Sequence, residues 1–194
     1  TCEIPFEELD EAHLCAKKDL VDQVSQETGV ALDPSIFTIG FARRAATYKR
    51  ADLIFDSIED LNALADKFGG LQLVYAGKAH PRDEAGKKLI KNVITNARRL
   101  SEKVKFVYLP NYNMRIGAML TSGVDLWLNN PIKPLEASGT SGMKASLNGV
   151  PNLSTLDGWW VEGFIKGTTG WEIADPHDGM QAGVDEKAQD RELT

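Results

Sequence analysis

LQLVYAGKAHPRDEAGKKLIKNVITNARRLSEKVKFVYL, residues 71–109, holds one complete crossover unit. Leu71 to Ala76 is a short apolar run with aromatic and β-branched members, which predicts a strand. Gly77 and Pro81 punctuate it. Ala85, Leu89, Val93, Ile94, Ala97 and Leu100 then recur at helical spacing, and Val104 to Leu109 reads as a strand again. Two strands joined through a helix must run parallel, because a tight hairpin cannot bring the chain back to its starting end.

The alternation extends outward in both directions. Upstream, IFTIGF (Ile36 to Phe41) predicts an earlier strand between Pro34 and the Arg43-Arg44 pair. Ala51, Ile54, Ile58, Leu61, Leu64, Ala65 and Phe68 mark one face of a single helix stopped by Gly69-Gly70. A leading helix is expected over residues 6–25, with Leu9, Leu14, Leu20 and Val24 on one side and acids ahead of lysines, as the macrodipole favours. Downstream, MRIGAML predicts a helix, VDLWL a strand, SGMKASLNG a helix closed by Gly149, and PNLST a fifth strand. The expected class is α/β, a Rossmann-like doubly wound parallel sheet. Such sheets bind ligands beyond the C-terminal ends of their strands, so Phe41–Arg50, Ala76–Pro81, Leu109–Met114 and Asn129–Lys144 are expected to converge on one crevice.

With 194 residues, 42% of them hydrophobic, the chain can build one good core but not two. Residues 1–170 are read as one domain. Residues 171–194, acidic through Asp175, Asp178, Asp185, Glu186, Asp190 and Glu192, are read as a solvated, frayed tail. A net charge of -6 argues against nucleic acid as a partner, since counterion release needs a basic face. Cys2 and Cys15 stand in no CxxC and at no metal-ligand spacing, so neither a disulfide scaffold nor a metal site is expected. No apolar run is long enough for a membrane span. The expected compartment is cytoplasmic. The start at Thr1 suggests a piece of a longer protein.

Two segments carry chemistry. FARRAATYKRA (Phe41 to Ala51) gathers Arg43, Arg44, Lys49 and Arg50 where a strand gives way to a helix, and cations beside free backbone N–H groups form a phosphate cradle. A solvated basic turn explains the same run. EASGTSGMKASLNG (Glu136 to Gly149) sets a small-residue loop ahead of a helix carrying Lys144. A lysine one turn into that helix can reach a carbonyl ligand whose phosphate rests on the loop amides, which suits pyridoxal phosphate. A capped Gly-rich loop with a surface lysine remains open. Trp159-Trp160 reads as packing ahead of sugar stacking, the Lys87, Lys88, Lys91, Arg98 and Arg99 helix as a solvated face, and His80 as a loop histidine.

GFARRAATYKRA, LPNY, LEASGTSGMKASLNG and STLDGWWVEG, in that order, resemble the C-terminal domain of the glycogen and α-glucan phosphorylase family, particularly its shorter microbial branch. The likeness runs from the leading helix to about Trp171. It implies one half of a two-domain GT-B glycosyltransferase fold whose N-terminal domain is missing, with pyridoxal 5'-phosphate as cofactor. It further implies cleavage of α-1,4-glucan by inorganic phosphate to α-D-glucose 1-phosphate, an inactive isolated chain, and scope for a homo-oligomer.

By the same resemblance Lys144 carries the cofactor, Thr140 and Ser141 hold its phosphate through their amides, Arg43 contacts that phosphate, and Tyr112 lies beside the ring. Arg44 and Lys49 match the substrate-phosphate pair, and Glu136, Ser138 and Gly139 the loop on the glucosyl hydroxyls. Arg43 and Arg44 are expected to point in different directions, with Lys49 returning toward Arg44. Asn113 departs from the basic residue of animal-type enzymes, and Ser141-Gly142 from their Gly-Asn. The rival readings are a sugar-nucleotide glycosyltransferase domain and a non-catalytic glucan-binding module.

Overall fold

A computed structural model describes residues 4–174. The leading helix, α1, spans Phe6–Thr28 and stops where Gly29 turns left-handed and its amide bonds Ser25 O. Only its second half is embedded, through Lys17, Leu20, Val21 and Val24, while Leu9 and Leu14 remain exposed. The expected order of acids before lysines holds at the start, with Glu7 and Glu8, but the last turn carries no base. Lys17 sits mid-helix instead, drawn inward by a carboxylate described below.

Strand β1, Thr38–Ala42, is buried along its whole length. The single helix expected from Ala51 is broken: two 3-10 turns, Thr47–Lys49 and Leu53–Phe55, precede α2, which begins only at Ile58 and runs to Phe68. The cause lies at Arg50. Its φ of 48° closes the first turn, and its guanidinium donates to the carbonyls of Asn130 and Pro131 at 2.8 and 3.0 Å. That reach locks the turn to a distant loop and prevents a continuous helix.

Strand β2 (Leu71–Ala76), α3 (Glu84–Ala97) and β3 (Val104–Leu109) reproduce the crossover read from the sequence, with Asp83 capping α3 by accepting from Gly86 N. Then follow α4 (Met114–Gly123), β4 (Leu126–Asn129), α5 (Thr140–Leu147), β5 (Asn152–Thr155), the short α6 (Trp160–Gly163) and β6 (Gly170–Ile173). The strands form one sheet in the order β3-β2-β1-β4-β5-β6. Every neighbouring pair is parallel. The order reverses between β1 and β4, which opens a crevice there.

Strand β6 crosses the boundary drawn at residue 170. Trp171, Glu172 and Ile173 pair with Leu153, Ser154 and Thr155. An edge strand with its glutamate in solvent has no continuous apolar run to betray it. The rest of the acidic tail lies outside the described residues.

Each face of the sheet supports a core. Leu20, Val24, Val74, Leu120 and Trp127 fill the α1/α4 side. Phe41, Phe55, Leu73, Tyr75 and Leu128 fill the α2/α3 side, where Phe41 stacks on Tyr75 at 4.8 Å between centroids. Leu73 and Leu120 lie wholly out of water, and each such side chain contributes about 1.5–3 kcal/mol by burial. Leu64 and Phe68, read as helix-face residues, are instead exposed, and with Phe37 and Leu153 they rim an apolar groove of about 450 Å³.

At the N-terminal ends of the strands, Asp125 ties three elements together. Its Oδ2 accepts from Lys17 Nζ and from Thr38 N, both at 2.6 Å, and its Oδ1 lies 3.0 Å from His13 Nε2. Lys17 also donates to Ile36 O at 2.8 Å. This knot fastens α1 to the starts of β1 and β4.

Candidate functional site

Beyond the end of β1 the chain keeps its ladder to β2 for a few more residues, with Arg43 N bonding Ala76 O and Ala45 N bonding Lys78 O. The backbone direction at Arg43 is thereby fixed, and its side chain turns inward while that of Arg44 stays exposed. The two arginines therefore diverge. The following 3-10 turn carries Lys49 back, but to Glu136: both Arg43 and Lys49 hydrogen-bond Glu136 Oε2. All three are buried.

Three charges at one point shape the local acidity. Burial pulls the Glu136 carboxyl upward, but the Lys49 hydrogen bond and the Arg43 charge and hydrogen bond outweigh it and hold the group below its ordinary value. Tyr48 closes the side of the cluster, with Lys49 Nζ 4.4 Å from its ring centroid. Its phenol is lowered chiefly by a hydrogen bond to Lys49, against the opposing effect of burial and with help from Arg44.

The loop bearing Glu136 is itself held. Glu136 N donates to Asp157 Oδ2 at 2.9 Å, and Trp159 N donates to Ser138 O at 2.8 Å. Gly139 then takes a left-handed φ of 85° and leads into α5 with no side chain among the described residues capping it. An α-helix leaves its first N–H groups without intrahelical partners, so the amides at Thr140 and Ser141 form a positive terminus. Gly142 has no room for a side chain, because a Cβ would come within 2.7 Å of Asn152 Oδ1 and 2.8 Å of Trp159 Nε1. The glycine of the Ser141-Gly142 departure thus fits the packing at that point.

Lys144 is exposed on α5 and faces a cleft of about 720 Å³ between α4 and α5, shared with Tyr112, Met114, Gly117, Ser141 and Asn148. Tyr112 leans on Gly117, where a Cβ would approach its hydroxyl to 2.8 Å. Burial raises the Tyr112 phenol, with Arg43 opposing. Asn113, the other departure, caps α4 by accepting from Ile116 N at 3.0 Å.

The site residues read from the sequence accordingly fall into two neighbouring groups. Arg43, Lys49 and Glu136 meet directly. Thr140, Ser141 and Lys144 share α5, with Tyr112 across the cleft and Ser138 and Gly139 between the groups. Arg44 is exposed but reaches Tyr48 at the side of the first group. His80 accepts from Arg82 N within its own turn, the basic residues of α3 face solvent, and Trp160 is fully buried with Trp159 edge-on to it at 5.2 Å. Sequence reasoning missed Asp157, a buried acid inside STLDGWWVEG that nothing in its spacing singles out. Among the described residues no cluster could hold a metal ion, and no helix is long and apolar enough to cross a membrane.

The fold and these groups define a doubly wound α/β domain with a cation-lined crevice at its switch point. Residues 5–173 match the profile of the carbohydrate phosphorylases. The chain is 46% identical to a maltodextrin phosphorylase of Thermococcus litoralis over 185 residues, covering 89% of this chain and 22% of that protein. It is 41% identical to a glycogen phosphorylase of Aquifex aeolicus, covering 89% and 28%. Against a glycogen phosphorylase of Mycobacterium tuberculosis the identity is 50%, covering 74% and 17%. The chain belongs to the carbohydrate phosphorylase family, and it spans less than a third of the length of these relatives.

Proposed function

We propose that this chain is the C-terminal, pyridoxal 5'-phosphate-binding half of an α-glucan phosphorylase, a glycosyltransferase that releases α-D-glucose 1-phosphate from α-1,4-glucan with inorganic phosphate. The observation that carries the reading is the meeting of Arg43, Lys49 and Glu136 beside the uncapped end of α5, with Lys144 in the adjoining cleft. In this reading the remainder of a longer polypeptide supplies the facing GT-B domain. An acidic chain with two cysteines suits a cytoplasmic enzyme.

The residues present fit the cofactor. A positive helix terminus, a lysine one turn further on and an aromatic ring across the cleft offer a place for its phosphate, its carbonyl carbon and its pyridine ring. Lys144 would hold it covalently, with Tyr112 against the ring and Thr140, Ser141 and Arg43 on its phosphate. When bound, it supplies a second phosphate group with which the substrate phosphate can exchange a proton. Arg44 and Lys49 would bind the substrate phosphate, offsetting the repulsion between two anions in a site shielded from water. Glu136, kept ionised by its two cations, would accept from the glucosyl hydroxyls alongside Ser138 and Gly139.

The test is the full-length parent purified without added cofactor, reduced with borohydride and mapped by peptide mass. A pyridoxyl adduct on Lys144 is expected. An adduct confined to Lys49 or Lys78 overturns the residue assignment, and absence of pyridoxal phosphate favours a sugar-nucleotide transferase or a binding module. The isolated chain should release little glucose 1-phosphate, because the crevice needs a facing domain to exclude water.

A further inference from the structure

We infer that Asp157 is a positioning residue for the Arg43–Lys49 cation pair, acting through the backbone of Glu136. The inference rests on the functional reading above, in which that pair serves phosphate chemistry. Asp157 follows β5 in the turn before α6 and is 8% exposed. Its Oδ2 accepts from Glu136 N and its Oδ1 from Gly158 N, both at 2.9 Å. Among the described residues both of its partners are backbone amides. A buried carboxylate without a cation beside it is costly unless its oxygens are met by donors, so this acid depends on the loop it holds.

The turn is moulded onto that loop. Gly158 has a left-handed φ of 56°, and a Cβ there would lie 2.4 Å from Ser138 O and 3.1 Å from Glu136 Cγ. Trp159 N supplies a second tie, to Ser138 O. Of the groups that splice 157–159 to 136–138, the Asp157 carboxylate is the side chain. Where it sets the Glu136 backbone, the Glu136 carboxylate can reach two cations delivered by different elements, Arg43 from the end of β1 and Lys49 from the 3-10 turn. An asparagine at 157 keeps the volume but offers one acceptor and one NH2 group, so one of the two amides would face a donor.

The experiment has three arms. In the unmodified 194-residue chain, hydrogen exchange followed by NMR should give the amides of Glu136, Gly158 and Trp159 a common opening, and independent exchange would overturn the splice without any variant being made. In the D157N chain, the side-chain NMR signals of Lys49 and Arg43 should lose the shifts characteristic of their ion pairs, as they should in an E136Q control. Unchanged signals overturn the inference. In the full-length parent, D157N should raise KM for inorganic phosphate about tenfold and lower turnover per bound cofactor, with the cofactor absorbance near wild type. A fall in melting temperature alone, with wild-type phosphate kinetics per bound cofactor, would assign Asp157 to stability and refute positioning. A wild-type parent that shows no phosphorolysis refutes the functional reading, and the two NMR arms still decide whether Asp157 sets the pair.

Discussion

Asp125 and Glu136 lie at opposite ends of one parallel sheet, and each binds two basic side chains. At the N-terminal end, Lys17 divides its donors between Asp125 and Ile36 O, and Asp125 divides its oxygens among Lys17, His13 and Thr38 N. Every group there is engaged in fastening α1. At the C-terminal end, Arg43 and Lys49 share a single carboxylate oxygen, exposed Arg44 adds a third positive charge, and an uncapped helix terminus adds partial charge. Burial and pairing are common to both ends. What separates them is surplus positive charge beside open space, and the proposed phosphate site rests on that surplus.

The comparison is broken most severely through Lys17. Lys17→Met should cost about 3–5 kcal/mol, since it leaves Asp125 without its ammonium partner. Urea unfolding of the chain measures this, and a near-wild-type midpoint would mean that the knot does not hold α1. At the other end the loss should appear in chemistry. In the full-length parent, Arg44→Ala and Lys49→Ala should each reduce phosphorolytic efficiency roughly ten- to a hundred-fold, as losing one charge-assisted phosphate contact of about 1.5–3 kcal/mol implies. Their cofactor content should stay near normal, whereas Arg43→Ala should loosen the cofactor. Unchanged phosphate kinetics with depleted cofactor in Arg44→Ala would reverse those roles.

Acid titration sharpens the contrast further. The folded-state pKa of Glu136 is depressed below the ordinary 4.5, so its contribution to stability is complete above that value and is lost as pH falls through the lower folded one. Unfolding free energy measured downward from neutral pH should decline less steeply over that acid window in Glu136→Gln than in the unaltered chain. Identical acid limbs would show that the cluster is not coupled to folding. The smallest effect is expected at Asn113, whose observed contact is a helix cap. Asn113→Ala should cost about 1 kcal/mol of stability, and a change in phosphate KM outweighing that loss would mean that the residue meets ligand after all.

Strands were legible where burial on both faces makes them continuous apolar runs: Leu71–Ala76 and Val104–Leu109 fall at the expected residues. β6 escaped because an edge strand needs no such run, and the break before α2 escaped because it is imposed by Arg50 reaching residues eighty positions away in sequence. The same distinction applies to the site. Clustered cations and a small-residue loop are local signals, so Arg43, Lys49 and Lys144 could be picked out from the sequence as candidates. That Lys17 is buried and Asp157 grips Glu136 depends on contacts separated by 108 and 21 residues, and no local pattern records them.

The packing of Trp159 against Gly142 makes the chain its own optical probe. Of its four tryptophans, Trp127 and Trp160 are sealed in the core, and Trp171 is 58% exposed on the far edge strand. Trp159 is half-buried and places its indole NH beside the first turn of α5. An anion settling on that turn would alter the field at this indole most directly, so a shift in emission that vanishes in Trp159→Phe would report occupancy of the helix terminus without a label.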